Sequence, residues 1–343
     1  CQDRYILKIL KIALSSGQLS GDIGNGMYDL VDVKVIEDAV REANEVGTNS
    51  QASSKRKNCA EFILMLRRAL KDKNWGKLEI ALKNMTNYSV ESVCTAEIER
   101  AKDEHANWKI ISLCSKAVEL GRVSGSIEAP NLEACSVQEM DTAVANVEML
   151  GHKTQEASSW LYTCKALSNL RSLLVVNDFT ALEHEINSVD KSMLPKPVLQ
   201  EIELIIGISH NELILKKLKH SLSLGAISGD VGTIREEGIQ YVDLEAAIGW
   251  VEELGTRTRV ASAALSLAKD ALISRKALKT CQLEELKVLT ARHESILDDS
   301  FKMSISEIDL ARRECLDRTT QAKLKAAFSS GQISESNGLP IVD

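Results

Sequence analysis

Apolar residues recur at helical spacing along most of the chain. Ile36, Ala39 and Val40 would share one face of a helix, and later stretches rich in leucine, isoleucine, valine and alanine repeat the same spacing. No stretch alternates between apolar and polar residues convincingly enough to predict a strand. The pattern therefore predicts an all-α protein.

A short glycine motif interrupts this helical pattern four times. Each copy has a glycine followed three residues later by Ser20, Ser124, Ser228 or Ser334, and the glycines are Gly17, Gly121, Gly225 and Gly331. The first two intervals between these glycines are 104 residues, and the third is 106 residues. A fixed period of this size indicates tandem copies of one structural unit.

The period divides the chain into units of about 104 residues. We predict the last helix of a preceding unit in residues 1–15, complete units in 16–120, 121–224 and 225–329, and the start of a fourth unit in 330–343. The chain is thus expected to be an excerpt from a longer array. Units that contact mainly their neighbours would form an elongated rod or a curved solenoid.

Each unit is predicted to contain four helices after a variable loop. The loops are residues 21–31, 125–135 and 229–241, and the first helix of each unit ends at Gly47, Gly151 or Gly255. A glycine in the left-handed conformation suits the position just past a helix end. In the second unit, Ser136 and Glu139 have the spacing of a capping box that would open the first helix.

The remaining helices are predicted from capping residues and apolar periodicity. Ser50, Thr154 and Thr258 would cap second helices that end near Lys71, Val175 and Lys279. Short third helices are expected to bury Leu78, Leu182 and Leu286. The long fourth helices are predicted at about 93–120, 197–224 and 303–329.

Two charged residues also keep the period inside otherwise apolar helices. Arginine recurs near the end of the second helix and glutamate near the start of the fourth, at Arg67, Arg171, Arg275, Glu97, Glu201 and Glu307. In an antiparallel bundle these positions are neighbours, so the residues are expected to form ion pairs. Two unrelated surface residues that stay in phase by descent are the alternative. If the pairs are buried, removing the glutamate alone should cost more than removing both partners.

Composition and charge narrow the function classes. A net charge of −7 and the lack of a large basic cluster argue against nucleic-acid binding. No apolar run has the roughly 20 residues that span a bilayer, so membrane insertion is not expected. None of the eight cysteines is in register between units, which indicates buried thiols in a reducing compartment and favours a cytoplasmic location.

Candidate catalytic and ligand sites are weak in this sequence. Gly21, Gly24 and Gly26 match neither phosphate-binding glycine motif, and the acidic residues of the loops lack the ligand pattern of an EF-hand. The six histidines form no metal-binding pair, and no cysteine has the context of an activated nucleophile. We therefore expect no cofactor, no metal and no catalytic residue.

These observations favour a structural or scaffolding protein. Stacked helical units offer extended surface for other proteins, and cytoskeletal proteins are one candidate class of partner. The alternative is a ligand- or effector-binding module that acts through the variable loops after each glycine motif. An enzyme is disfavoured, because catalytic sites are usually single whereas every strong signal here recurs.

Overall fold

The computed structural model describes residues 2–88, 92–133, 135–151, 154–234, 236–280, 297 and 301–330. Most of these residues are helical, which confirms the all-α prediction. The described residues form twelve α-helices: α1 (Gln2–Ser15), α2 (Lys34–Val46), α3 (Gln51–Lys71), α4 (Trp75–Lys83), α5 (Thr95–Glu119), α6 (Gln138–Val147), α7 (Gln155–Val175), α8 (Phe179–Ser188), α9 (Lys196–Ser223), α10 (Val242–Leu254), α11 (Arg259–Thr280) and α12 (Lys302–Ser330). Leu286 and Gly331 lie outside the described residues.

Hydroxyl residues cap three of these helices at the predicted positions. The side-chain oxygens of Ser50, Thr154 and Thr258 accept hydrogen bonds from backbone amides three residues later, at 3.2, 3.1 and 3.0 Å. These bonds satisfy amides that have no partner within the helix. They fix where α3, α7 and α11 begin.

The opening of α6 differs from the predicted capping box. The helix begins at Gln138, and the hydroxyl of Ser136 donates to Glu139 Oε2 at 2.5 Å instead of accepting a backbone amide. This bond lowers the pKa of Glu139. The backbone amide of Ser136 donates to the carbonyl of Gly121, and this bond fixes Ser136 beside the glycine motif.

Two very short hairpins lie in the loops, where no strand was predicted. β1 (Gly21–Asp22) pairs with β2 (Asn25–Gly26), and β3 (Ser124–Gly125) pairs with β4 (Pro130–Asn131), both antiparallel. Strands of two residues are too short to show an alternating pattern. Short 3-10 turns occur at Tyr28–Leu30, Asn84–Asn87, Ser92–Cys94, Glu148–Leu150, Lys191–Met193 and Glu236–Gly238.

Two series of glycines have positive φ angles for different reasons. The first is the glycines of the motif, Gly17, Gly121 and Gly225, and the second is the glycines after the first helices, Gly47, Gly151 and Gly255. Gly121 has φ of 64°, and an added Cβ would lie 2.6 Å from the amide nitrogen of Ser136. Gly151 has φ of 69°, but an added Cβ would meet nothing within 4 Å. Its ψ of 138° lies outside the left-handed helical region that the sequence predicts for it. The first series therefore combines conformation with close packing, whereas the second needs only the conformation.

The structure comprises two compact regions. One contains Cys1–Arg122, Ala134–Ser172 and Val189–Gln200, and the other contains Val123–Glu133, Leu173–Ser188 and Glu201–Asp343. In the first region, α1 to α5 enclose a core that includes Ile36, Ile63 and Leu78. In the second, α9 to α12 bury residues such as Leu218 and Leu267. Interlocked aliphatic side chains thus dominate both cores.

Candidate functional site

Arg67 is a fully buried arginine whose five N–H groups are all satisfied. Its Nε and Nη2 donate to Glu97 at 2.7 and 3.1 Å, which places the predicted pair together with bidentate geometry. Its remaining bonds go to main-chain carbonyls of Ala13, Leu14 and Asp32 at 3.2 to 3.3 Å. A guanidinium has five N–H donors, so none is left unpaired. We call this arrangement the arginine clamp.

Arg275 forms the same clamp in the second compact region. It donates to Glu307 through Nε and Nη2 at 2.6 and 3.0 Å, and both side chains are shielded from solvent. The other donors reach the carbonyls of Leu222, Leu224 and Gln240 at 2.5, 2.6 and 3.1 Å. The five donors are again fully used. Leu222 and Gln240 correspond to Leu14 and Asp32 around Arg67, whereas Leu224 lies three residues after the position that corresponds to Ala13.

Arg171 and Glu201 occupy the corresponding positions and are also buried. Arg171 donates to the carbonyls of Leu120, Ser136 and Val118 at 2.8, 3.4 and 2.7 Å. These three positions correspond to the acceptors of Arg275, and two of them correspond to acceptors of Arg67. Glu201 accepts a hydrogen bond from the amide of Val123 at 3.0 Å.

Two of the buried glutamates, Glu201 and Glu307, also hold the turn that follows a glycine motif. Glu201 binds the amide of Val123, and Glu307 binds the amide of Ile227, each at 3.0 Å. Each amide belongs to the second residue after the motif glycine. Burial raises the pKa of Glu97, while the guanidinium of Arg67 acts in the opposite direction.

The chemistry of the clamp is structural. The last carbonyls of an α-helix lack partners within that helix, and the arginine supplies donors at the ends of α1, α5 and α9. An arginine side chain stays protonated in proteins, so it offers no acid or base for catalysis. The arginines therefore join the ends of α1, α5 and α9 to α3, α7 and α11.

A second group of buried acids anchors the variable loops and was missed by the sequence analysis. Glu104 Oε2 accepts from the amide of Gly24 at 3.0 Å and from the hydroxyl of Tyr28 at 2.7 Å. Glu314 Oε2 accepts from the amide of Gly232 at 2.5 Å. Burial raises the pKa of Tyr28, with a further contribution from its bond to Glu104. The bond from Gly24 thus anchors the first hairpin to α5.

The second loop is anchored by apolar contact instead. Ile208 occupies the position that corresponds to Glu104, and it cannot accept an amide. Here the side chain of Ile127 covers Gly207, where an added Cβ would lie 2.5 Å from Ile127 Cδ1. The exchange of a glutamate for an isoleucine explains why recurrence in the sequence did not reveal these anchors.

A further polar position recurs on the long helices. Asp3 Oδ1 accepts from Ser53 Oγ at 2.8 Å and from the amide of Asn49 at 3.0 Å. Thr154 donates to Asn107, and Thr258 donates to Asn211 at 2.5 Å. The sequence analysis missed Asp3, Asn107 and Asn211, which lie one period apart, because the residue type changes from aspartate to asparagine. Each contact fixes a long helix against the N-terminus of a later helix.

Four of the buried cysteines lie in two pairs. The sulfurs of Cys59 and Cys94 are 3.1 Å apart, in the core of the first compact region. A hydrogen bond with Cys114, together with burial, raises the pKa of Cys164. A raised pKa keeps a thiol protonated and poorly nucleophilic. Cys164 therefore packs as a small apolar residue.

The described residues supply few elements of a ligand site. No group of three or more potential metal ligands occurs among them, and no described helix is long and apolar enough to cross a membrane. A surface depression of about 420 Å³ is lined by Glu183, Lys217, His220 and Trp250 among others. Lys217 Nζ lies 4.2 Å from the Trp250 ring centroid, so the cation already rests on the aromatic face.

Comparison with known proteins adds no relative to this picture. No protein family, curated protein or solved structure matches the chain.

Proposed function

We propose that this protein is a non-enzymatic scaffold of tandem four-helix units, which presents extended helical surface to other proteins. The observation that carries the proposal is the arginine clamp, because the bidentate pair with a buried glutamate and two of the carbonyl contacts recur around Arg67 and Arg275 at corresponding positions. A buried ion pair adds little net stability, but it can specify one geometry of the parts that it joins. In each clamp, that geometry is the connection from one unit to the next.

The proposed architecture is an elongated rod or curved solenoid with unit boundaries at about residues 16, 121, 225 and 330. The long helices support this view, since α5 contributes Glu97 to one clamp and Asn107 to the contact with Thr154. A helix used by two successive units transmits a fixed orientation between them. A cytoplasmic protein with cytoskeletal partners would suit such a spacer.

The runner-up function is ligand or effector binding through the variable loops. The observation that favours it is the set of exposed apolar residues in the first loop, Met27 and Leu30. The anchors described above hold this loop in one arrangement, which would reduce the entropic cost of binding.

A pull-down with surface variants separates the two functions. The bait is the intact chain, and the loop variant carries Met27→Ser, Leu30→Ser and Val231→Ser, which change exposed residues and leave the buried anchors Tyr28 and Ile239 in place. A scaffold acting through its helices keeps its partners when these loop residues change. Loss of all partners by a folded loop variant would favour the loop function, and small-angle scattering from a compact sphere would contradict the rod.

A further inference from the structure

The C-terminal half of α12 exposes an apolar face that the other long helices bury. Leu324 and Phe328 are 52% and 79% exposed. The corresponding pairs, which lie one period apart on α1, α5 and α9, are almost fully buried: Leu10 and Leu14, Cys114 and Val118, Leu218 and Leu222. The exposed face of α12 is therefore a surface that this fold covers elsewhere.

The sequence of this half-helix closely repeats that of α1. Residues 317–330 and 3–16 align without a gap, and seven of the 14 positions carry the same residue. The identical pairs are Asp3 and Asp317, Arg4 and Arg318, Leu10 and Leu324, Lys11 and Lys325, Ala13 and Ala327, Ser15 and Ser329, and Ser16 and Ser330. The contacts of α1 thus show what such a helix binds.

α1 binds the helix pair α2 and α3 through three kinds of contact. Its leucines enter the core formed with Ile36 and Ile63. Its Asp3 accepts from the N-terminal end of α3, and its last carbonyls accept from Arg67. The second half of α12 carries the same leucine, the same aspartate and the same helical backbone.

We propose that residues 317–328 dock onto the α2–α3 pair of a second copy of this chain, in the place that α1 occupies within its own chain. The occupant follows from the match above, because α2 and α3 already bind this helix sequence. Exchange of the two helices would link copies head to tail, and a heterologous contact of this kind can propagate into filaments. The inference rests on the proposed repeat organisation and adds a specific partner to it.

Two full-length chains test the exchange directly. The acceptor carries Leu10→Asp and Leu14→Asp, which release α1, and Phe328→Asp, which prevents it from donating its own α12. The donor has the native sequence and a fluorescent label. Sedimentation velocity should show a one-to-one complex. Leu324→Asp in the donor should weaken this complex by more than about tenfold, because docking would bury a carboxylate.

Ala322→Asp in the donor is the matched control. It adds the same charge to the same helix, but the corresponding residue of α1, Lys8, is exposed, so binding should not change. An acceptor that binds a synthetic peptide of residues 2–20 but not the donor overturns the proposal. So does a complex that is equally sensitive to Ala322→Asp and Leu324→Asp.

The native chain supplies a second test that does not depend on the acceptor variant. Its self-association at rising concentration is compared with that of Phe328→Asp, a change at an exposed position that should not disturb folding. Identical monomeric behaviour of both chains overturns the docking proposal. Capture of other proteins by such a monomer would leave the scaffold function intact, so the two failures are distinguishable.

Discussion

The guanidinium of Arg275 and the carboxylate of Glu307 meet through two parallel hydrogen bonds, with Nε to Oε1 at 2.6 Å and Nη2 to Oε2 at 3.0 Å. The remaining three donors of Arg275 reach main-chain carbonyls. The arginine is therefore the centre of the contact, and the glutamate is one of its four partners. Removing both residues therefore still leaves three carbonyls without their donor.

Substitution at this pair should show that the arginine matters more than the glutamate. We expect Arg275→Met to destabilise the protein by about 3–5 kcal/mol, because Glu307 stays buried and three carbonyls lose their donors. Glu307→Gln should cost about 1–3 kcal/mol. The double variant should not recover stability, contrary to the expectation from sequence, because the carbonyls remain unpaired. Denaturant unfolding of the four chains measures this, and a double variant more stable than Glu307→Gln would contradict it.

The two glycine series should respond differently to alanine. Gly151→Ala should cost about 1–3 kcal/mol, the penalty for a side chain at positive φ with an extended ψ. Gly121→Ala should cost more, since its Cβ would also overlap the backbone of Ser136. Thermal and denaturant unfolding compare the two variants. Equal losses would show that the turn at Gly121 relaxes to admit a side chain.

Acidification should lower stability through two partly buried histidines. Burial lowers the pKa values of His105 and His210 below 6.5, and His105 Nε2 and His210 Nδ1 have no hydrogen-bond partner. Below pH 6.5 the unfolded chain binds these protons while the folded chain does not, so stability falls as the pH drops toward the folded pKa values.

A double variant with His105→Gln and His210→Gln isolates this effect. Between pH 7.5 and 5.5, on the order of one unit on either side of the ordinary histidine pKa, its stability should decline less than that of the native chain. Parallel pH profiles for the two chains would assign the decline to other groups.

Reducing agent should leave the melting temperature unchanged. The sulfurs of Cys59 and Cys94 are 3.1 Å apart, well beyond the bond length of about 2.05 Å in a disulfide. Calorimetry with and without dithiothreitol measures this. Thiol titration adds a check, since Cys59, Cys94, Cys114 and Cys164 are buried and should react with a water-soluble disulfide reagent mainly after unfolding.

The sequence was most informative at positions where the same kind of residue returns with the period. Glycine at positive φ, hydroxyl caps such as Ser50 and Thr154, and the clamp arginines all recur because no other residue replaces them easily. The loop anchors escaped notice because Glu104 gives way to Ile208, and the second loop is held instead by Ile127, which packs over Gly207. The pairing of Cys59 with Cys94 was also out of reach, since it depends on two helices meeting in space.

The shared use of α5 has a consequence for how such a chain tolerates insertions. Glu97 lies at its start and Asn107 near its middle, and each binds a partner in a different part of the fold. One residue inserted between them would rotate the second half of the helix by about 100° relative to the first. Asn107 and the apolar face that follows it would then turn away from their partners. The helical phase of the long helix is therefore fixed, and length changes are confined to the connections.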